Sequence, residues 1–156
     1  MDERDMDFLR RAIGLAGTAR AAGNHPFGSL VVAADGRVLI EAGNTVSVDG
    51  PTGHAETNAV RAVAAVDRDM LRGATLYAST EPCAMCAGAI YWSGIGRVVY
   101  ALGEDALRSL TGDDPANPTM ALPCREVFAR GQRPTTVEGP ALEDEARAVH
   151  RGFWHA

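Results

Sequence analysis

The sequence predicts a three-layer α/β/α domain built on a mixed sheet of about five strands, with helices on both faces. Two observations carry this. From residue 55 onward, helix-period stretches alternate with short apolar runs, which is the pattern of βαβ units. Ahead of them, two short apolar runs are joined across Asp35-Gly36, a strong hairpin signal. A chain of 156 residues, 46% hydrophobic and 22% charged, fits one globular domain spanning residues 1–156, with a sizeable core and no room for a second.

Taken in order, Asp5 to Ala22 carries Phe8, Leu9, Ala12, Ile13, Leu15, Ala16 and Ala19 at helical period with arginines between them, and Gly23-Asn24 stops the helix. Ser29 to Ala33 and Val38 to Ala42 read as the hairpin strands. Gly43 to Gly53, rich in turn residues, reads as a loop. Ala55 to Val66 is an Ala-rich helix with Val60, Val63 and Val66 on one side. Thr75 to Ser79 is a strand, Cys83 to Ser93 a helix and Arg97 to Leu102 a strand. Glu104 to Leu110 reads as a short helix. Thr111 to Pro123, with three prolines and Asp113-Asp114, reads as an irregular loop over the site. Arg125 to Gly131 is helical, Thr135 to Val137 a short strand, and Ala141 to Trp154 a final helix with an aromatic end. There is no internal repeat or low-complexity tract.

The chemistry lies between His54 and Cys86. His54-Ala55-Glu56 followed by Pro82-Cys83-Ala84-Met85-Cys86 supplies one imidazole, two thiols three apart and one carboxylate. A structural zinc takes four protein ligands, whereas one His and two Cys leave the fourth position open, as a catalytic zinc requires. Cys83 and Cys86 share one face of a helix, and Pro82 suits a first helical position, so both sulfurs belong at a helix N-terminus where the dipole favours thiolate. Glu56, two residues past His54, points about 200° away if both are helical, which frees it to handle protons. Separately, these residues have bland readings: a surface histidine, a thioredoxin-like Cys-x-x-Cys, a carboxylate suiting a first helical turn. The redox reading leaves His54 and Glu56 unexplained.

Together these residues resemble the zinc-dependent cytidine deaminase superfamily. The likeness extends to Asn24-His25-Pro26-Phe27-Gly28, Gly43-Asn44 and Ala89-Ile90-Tyr91-Trp92, and is nearer to bacterial guanine deaminases and related free-base deaminases than to the cytidine enzymes. The resemblance implies a cytidine deaminase-like fold, His54, Cys83 and Cys86 as ligands to Zn2+, and Glu56 as the catalytic acid and base. It also implies hydrolytic release of ammonia from a free nucleobase, guanine first, then cytosine or an aminotriazine-like ring, in a homodimer. For base contacts it implies Asn44, Phe27, Asp114 and Trp154. Asn44 is otherwise a turn residue, Phe27 core, Asp114 a solvated loop carboxylate, and Phe153-Trp154 a helix end packed on its own domain.

Charge bears on the alternatives. The net charge is −5, and all fifteen basic residues are scattered arginines without a single lysine. That balance argues against a nucleic acid partner, and so against the tRNA adenosine deaminase that shares the core motif. A non-catalytic zinc-binding interaction domain would not need Glu56. No run of the sequence is long and apolar enough for a membrane span. The acidic start lacks the features of a secretory signal, and Cys124 is left over from the metal motif, so the expectation is a cytoplasmic enzyme.

Overall fold

The computed structural model describes residues 1–115 and 117–154. Its elements are α1 (Glu3–Ala21), β1 (Gly28–Val32), β2 (Val38–Gly43), α2 (Val46–Asp49), α3 (Ala55–Ala62), α4 (Arg68–Arg72), β3 (Thr75–Thr80), α5 (Ala84–Ser93), β4 (Arg97–Leu102), α6 (Glu104–Thr111), α7 (Cys124–Ala129), β5 (Thr136–Glu138) and α8 (Glu143–Ala148). The sheet runs β2-β1-β3-β4-β5, with β1 antiparallel to both neighbours and β3, β4 and β5 mutually parallel. The mixed five-stranded sheet is as the sequence predicts.

Strand residues alternate between two cores. Val31, Leu76, Ala78, Val98 and Tyr100 pack on Ala59 and Val63 of α3, Ala87 and Ile90 of α5 and Phe128 of α7. Leu30, Val32, Tyr77, Val99 and Ala101 pack on Leu9, Ala12 and Ile13 of α1, Leu107 of α6 and Ala146 of α8. Period-two alternation across strands buried on both faces is what makes the three layers. Gly28 has a packing reason: a Cβ there would lie 2.3 Å from the Ala12 carbonyl oxygen, so α1 crosses β1 at backbone distance.

Element ends depart from the sequence reading where caps and tertiary contacts decide them. α1 begins two residues early because Asp2 and Asp5 form a reciprocal capping box. The loop from Gly43 to Gly53 contains the single turn α2, held by Asn24, whose side-chain oxygen accepts from the Ser47 amide at 3.0 Å and hydroxyl at 2.6 Å. The helix expected to reach Val66 stops at Ala62. Asp67 then caps the unforeseen α4, accepting from the Asp69 and Met70 amides. The final helix closes at Ala148 instead of Trp154. Arg20 takes the carbonyls of Val149 and Arg151, both at 2.8 Å, and the following turns fold Trp154 back onto the chain.

One part-buried ion pair ties α1 to the sheet. Asp5 accepts two hydrogen bonds from Arg97 (2.8 and 2.9 Å) and one from the Tyr77 hydroxyl (2.6 Å), and Arg97 also donates to Glu138 of β5. The Arg97 guanidinium holds the Asp5 carboxyl well below the usual carboxylate range. A depressed folded-state pKa contributes stability above the unfolded value of about 3.9, and that contribution shrinks as pH falls below it. Asp5→Ala should therefore cost about 3 kcal/mol at neutral pH, read from urea midpoints, and its gap from wild type should narrow at pH about 3.

Candidate active site

Two helix starts meet at one end of the sheet. His54 is the N-cap of α3 in extended backbone (φ −80°, ψ 147°), and Cys83 is the N-cap of α5 (φ −64°, ψ 171°), with Cys86 three residues on. Pro82 therefore precedes the cap and is not the first helical residue. His54 Nδ1 lies 3.6 Å from Cys83 Sγ and 3.5 Å from Cys86 Sγ, and one ligand atom from each of the three falls within 4.8 Å of the others. A tetrahedral ion with N and S bonds of about 2.0–2.1 and 2.3 Å sets neighbouring ligand atoms about 3.5 Å apart, so the donor set fits a metal of that kind. Among the described residues, this is the only such group.

Glu56 is buried, and its carboxylate oxygen accepts from the Cys86 thiol at 3.5 Å. The angular separation expected from helical geometry does not apply, because His54 stands outside the helix in extended backbone. Burial, followed by the negative Cys83, raises the Glu56 pKa to about 7. Cys83 is lowered to about 4, first by the hydrogen bond from Cys86 and then, against the cost of burial, by His54. Cys86 moves strongly upward for the converse reason, its bond to Cys83 and its burial. His54 is raised, chiefly by its bond to Cys83. The cluster thus keeps negative charge on sulfur beside a carboxyl poised near neutrality.

These groups open on a cavity of about 210 Å³, whose wall includes Phe27, His54, Glu56, Thr80, Cys83 and Glu104. Of the four expected base contacts, only Phe27 is on that wall. Asn44 is 2% exposed; its side-chain oxygen accepts from the Val46 amide at 3.0 Å, a turn role, and its backbone N–H donates to the Phe27 carbonyl at 3.0 Å. Trp154 is packed on its own chain: its Nε1 donates to His150 Nδ1 at 3.2 Å, and its ring meets those of His25, Phe27 and Phe153. Asp114 is half-buried in the loop after α6. There its charge opposes the downward shift that burial gives His25. The loop expected over the site does reach it, through Asn117 to Met120.

Sequence reasoning passed over Glu81 and Glu104. Glu81 accepts from the Glu104 amide (3.0 Å) and the Cys124 amide (2.9 Å), anchoring the starts of α6 and α7 beside the ligand loop. Glu104 is lifted to about 7 by burial and by the charge of Glu81. A Glu directly before Pro-Cys and a Glu at a helix start look like ordinary first-turn acids, and only the parallel pairing of β3 and β4 reveals that they meet.

A three-layer sheet with a His/Cys/Cys group at two helix starts and a free buried carboxylate beside it defines the zinc-type hydrolytic deaminases. Residues 2–102 match the model of the cytidine and deoxycytidylate deaminase zinc-binding region, and the chain belongs to that family. It is 43% identical to a probable cytosine deaminase of Schizosaccharomyces pombe over 99% of this chain and 94% of that one. It is 40% identical to the tRNA-specific adenosine deaminase of Haemophilus influenzae over 65% and 60%. A solved guanine deaminase from Nitrosomonas europaea superimposes with a TM-score of 0.73 at 27% identity, covering 94% of this chain and 82% of that one. The protein is accordingly a hydrolase acting on a C–N bond of a nucleobase.

The double anchor at Glu81 is directly testable. Glu81→Gln keeps one acceptor and should cost about 1–2 kcal/mol, whereas Glu81→Ala orphans both amides and should cost about 2–4 kcal/mol, measured by chemical denaturation.

Proposed function

We propose that the protein is a free-nucleobase deaminase, releasing ammonia from a small heteroaromatic ring in the cytoplasm as a homodimer. The observation that carries this is a cavity of about 210 Å³ lined by Glu56, His54 and Cys83, with Cys86 beside them in the same cluster. Sites for drug-sized ligands run to about 300–1,000 Å³, so this one suits a single base. The net charge of −5 supports a neutral substrate over a phosphate backbone. Guanine is favoured by the Pro26-Phe27-Gly28 and Gly43-Asn44 resemblance. Cytosine is favoured by the full-length likeness to the fission yeast protein. Trp92, 81% exposed on α5, is an apolar group suited to a subunit interface. Three free cysteines accord with a reducing compartment, and no helix among the described residues is long and apolar enough to cross a membrane.

His54, Cys83 and Cys86 would hold the zinc, which supplies Lewis acidity and brings the pKa of a water to about 7. The chain does the rest. Glu56 takes one proton of the attacking water to the ring nitrogen beside the reacting carbon, and then carries that water's second proton to the departing amine, which leaves as ammonia while a carbonyl replaces it. Phe27 offers an aromatic wall to the ring.

Cys86→Ala should bind less than about one tenth of a zinc per chain and lose much of its stability, by elemental analysis and thermal melting. Glu56→Ala should keep zinc and fold while losing about a thousandfold or more in kcat. A panel of guanine, cytosine, their nucleosides and a tRNA anticodon stem-loop, read by ammonia release, tests the substrate class. Turnover of a free base should be nearly flat between low and moderate salt. Deamination of the stem-loop alone, falling steeply with salt, would replace this reading with the tRNA one.

A further inference from the structure

The cavity wall carries polar groups that nothing in the described protein satisfies. Thr80 ends β3 and pairs in register with Leu102, which ends the parallel β4. Two residues beyond Leu102 comes Glu104, so Thr80 and Glu104 leave neighbouring strand ends, and both line the cavity. Glu104 is 7% exposed, and among the described residues its carboxylate makes no hydrogen bond or ion pair; only its backbone amide is engaged, with Glu81. Thr80 is 3% exposed with a buried hydroxyl lacking any partner, and the side-chain nitrogen of Asn117, on the same wall, is likewise buried and unpartnered.

Each such group costs about 1–3 kcal/mol when left unsatisfied, and folded proteins keep few of them. An acceptor-only carboxylate and two hydrogen-bonding groups converging on one cavity are the complement of a ligand edge that presents both an N–H and acceptor atoms. Neither Thr80 nor Glu104 belongs to the metal group or to the proton path through Glu56.

We propose that Glu104 is a specificity-determining residue that accepts a hydrogen bond from a ring N–H of the base, with Thr80 and Asn117 serving the acceptor atoms of the same ring. This rests on the free-base reading and sharpens it. In cytosine Glu56 serves N3, beside the reacting carbon, and the N–H left for Glu104 is N1–H, which a sugar or methyl substituent removes. In guanine Glu56 serves N3, and Glu104 takes N9–H, the sugar-bearing position, with N1–H left to other groups. Selection of free bases over nucleosides then comes from a buried carboxylate that a substituted ring leaves unpaired, and not from cavity size alone.

The test compares cytosine with N1-methylcytosine and guanine with N9-methylguanine, on zinc-loaded wild type, Glu104→Gln and Glu104→Ala. Wild type should prefer the unsubstituted base by about tenfold or more in kcat/KM. Glu104→Ala should raise KM for that base about tenfold with a smaller change in kcat, and should bring the preference close to unity; Glu104→Gln should fall between. Binding of the same bases to Glu56→Ala, with and without Glu104→Gln, gives the affinity change without turnover and serves if Glu104→Ala does not fold. Unchanged KM and unchanged preference in folded, zinc-loaded Glu104 variants would overturn the proposal while leaving the free-base reading standing. Failure of wild type to bind or deaminate any free base would overturn both.

Discussion

The site depends on two helices closing on one another over the sheet. α3 and α5 are in contact, and Ala55 and Ala59 of the first and Ala87 of the second are small and fully buried. Small side chains let the backbones approach, and the approach brings N-caps from opposite ends of a thirty-residue stretch to within 3.6 Å at their ligand atoms. Both caps are extended, which aims the side chains outward from the helix ends toward a common point. Helix dipoles and backbone amides at that point favour negative charge, in keeping with the ease with which Cys83 holds a thiolate.

Legibility followed the range of the forces involved. β4 and the hairpin turn at Asp35-Gly36 were readable because apolar alternation and turn chemistry are local, and Gly36 does take a positive φ of 87°. The grouping of His54, Cys83 and Cys86 was readable because its spacing carries its chemistry. The break at Val63, where Asp67 starts a new helix, and the early end of α8 were not, since each is decided by a cap or by a distant arginine. The same holds inside the cavity. Phe27 lines the cavity. Asn44, Asp114 and Trp154 lie off the wall, and Thr80 and Glu104, which are on it, have no sequence signature that separates them from a strand end and a helix start.

Two carboxylates near the metal group have distinct environments. Glu56 faces the sulfurs, and its neighbours bias it toward proton exchange. Glu81 accepts one backbone amide on each oxygen and serves as a structural anchor. Burial alone would not distinguish them, as both are under a tenth exposed; their partners do.

The anchor at Glu81 also gives the protein a tethered geometry. The path from Glu104 through α6 and the following loop to Cys124 departs from and returns to the same carboxylate, one oxygen at each end. Such an excursion is pinned at both feet to one side chain, while α6 between them is held by Leu107 in the core under the sheet. Because that segment supplies Leu107 and the stretch from Asn117 to Met120 to the cavity wall, the shape of the wall is set from Glu81 outward, by a single carboxylate that belongs to neither α3 nor α5.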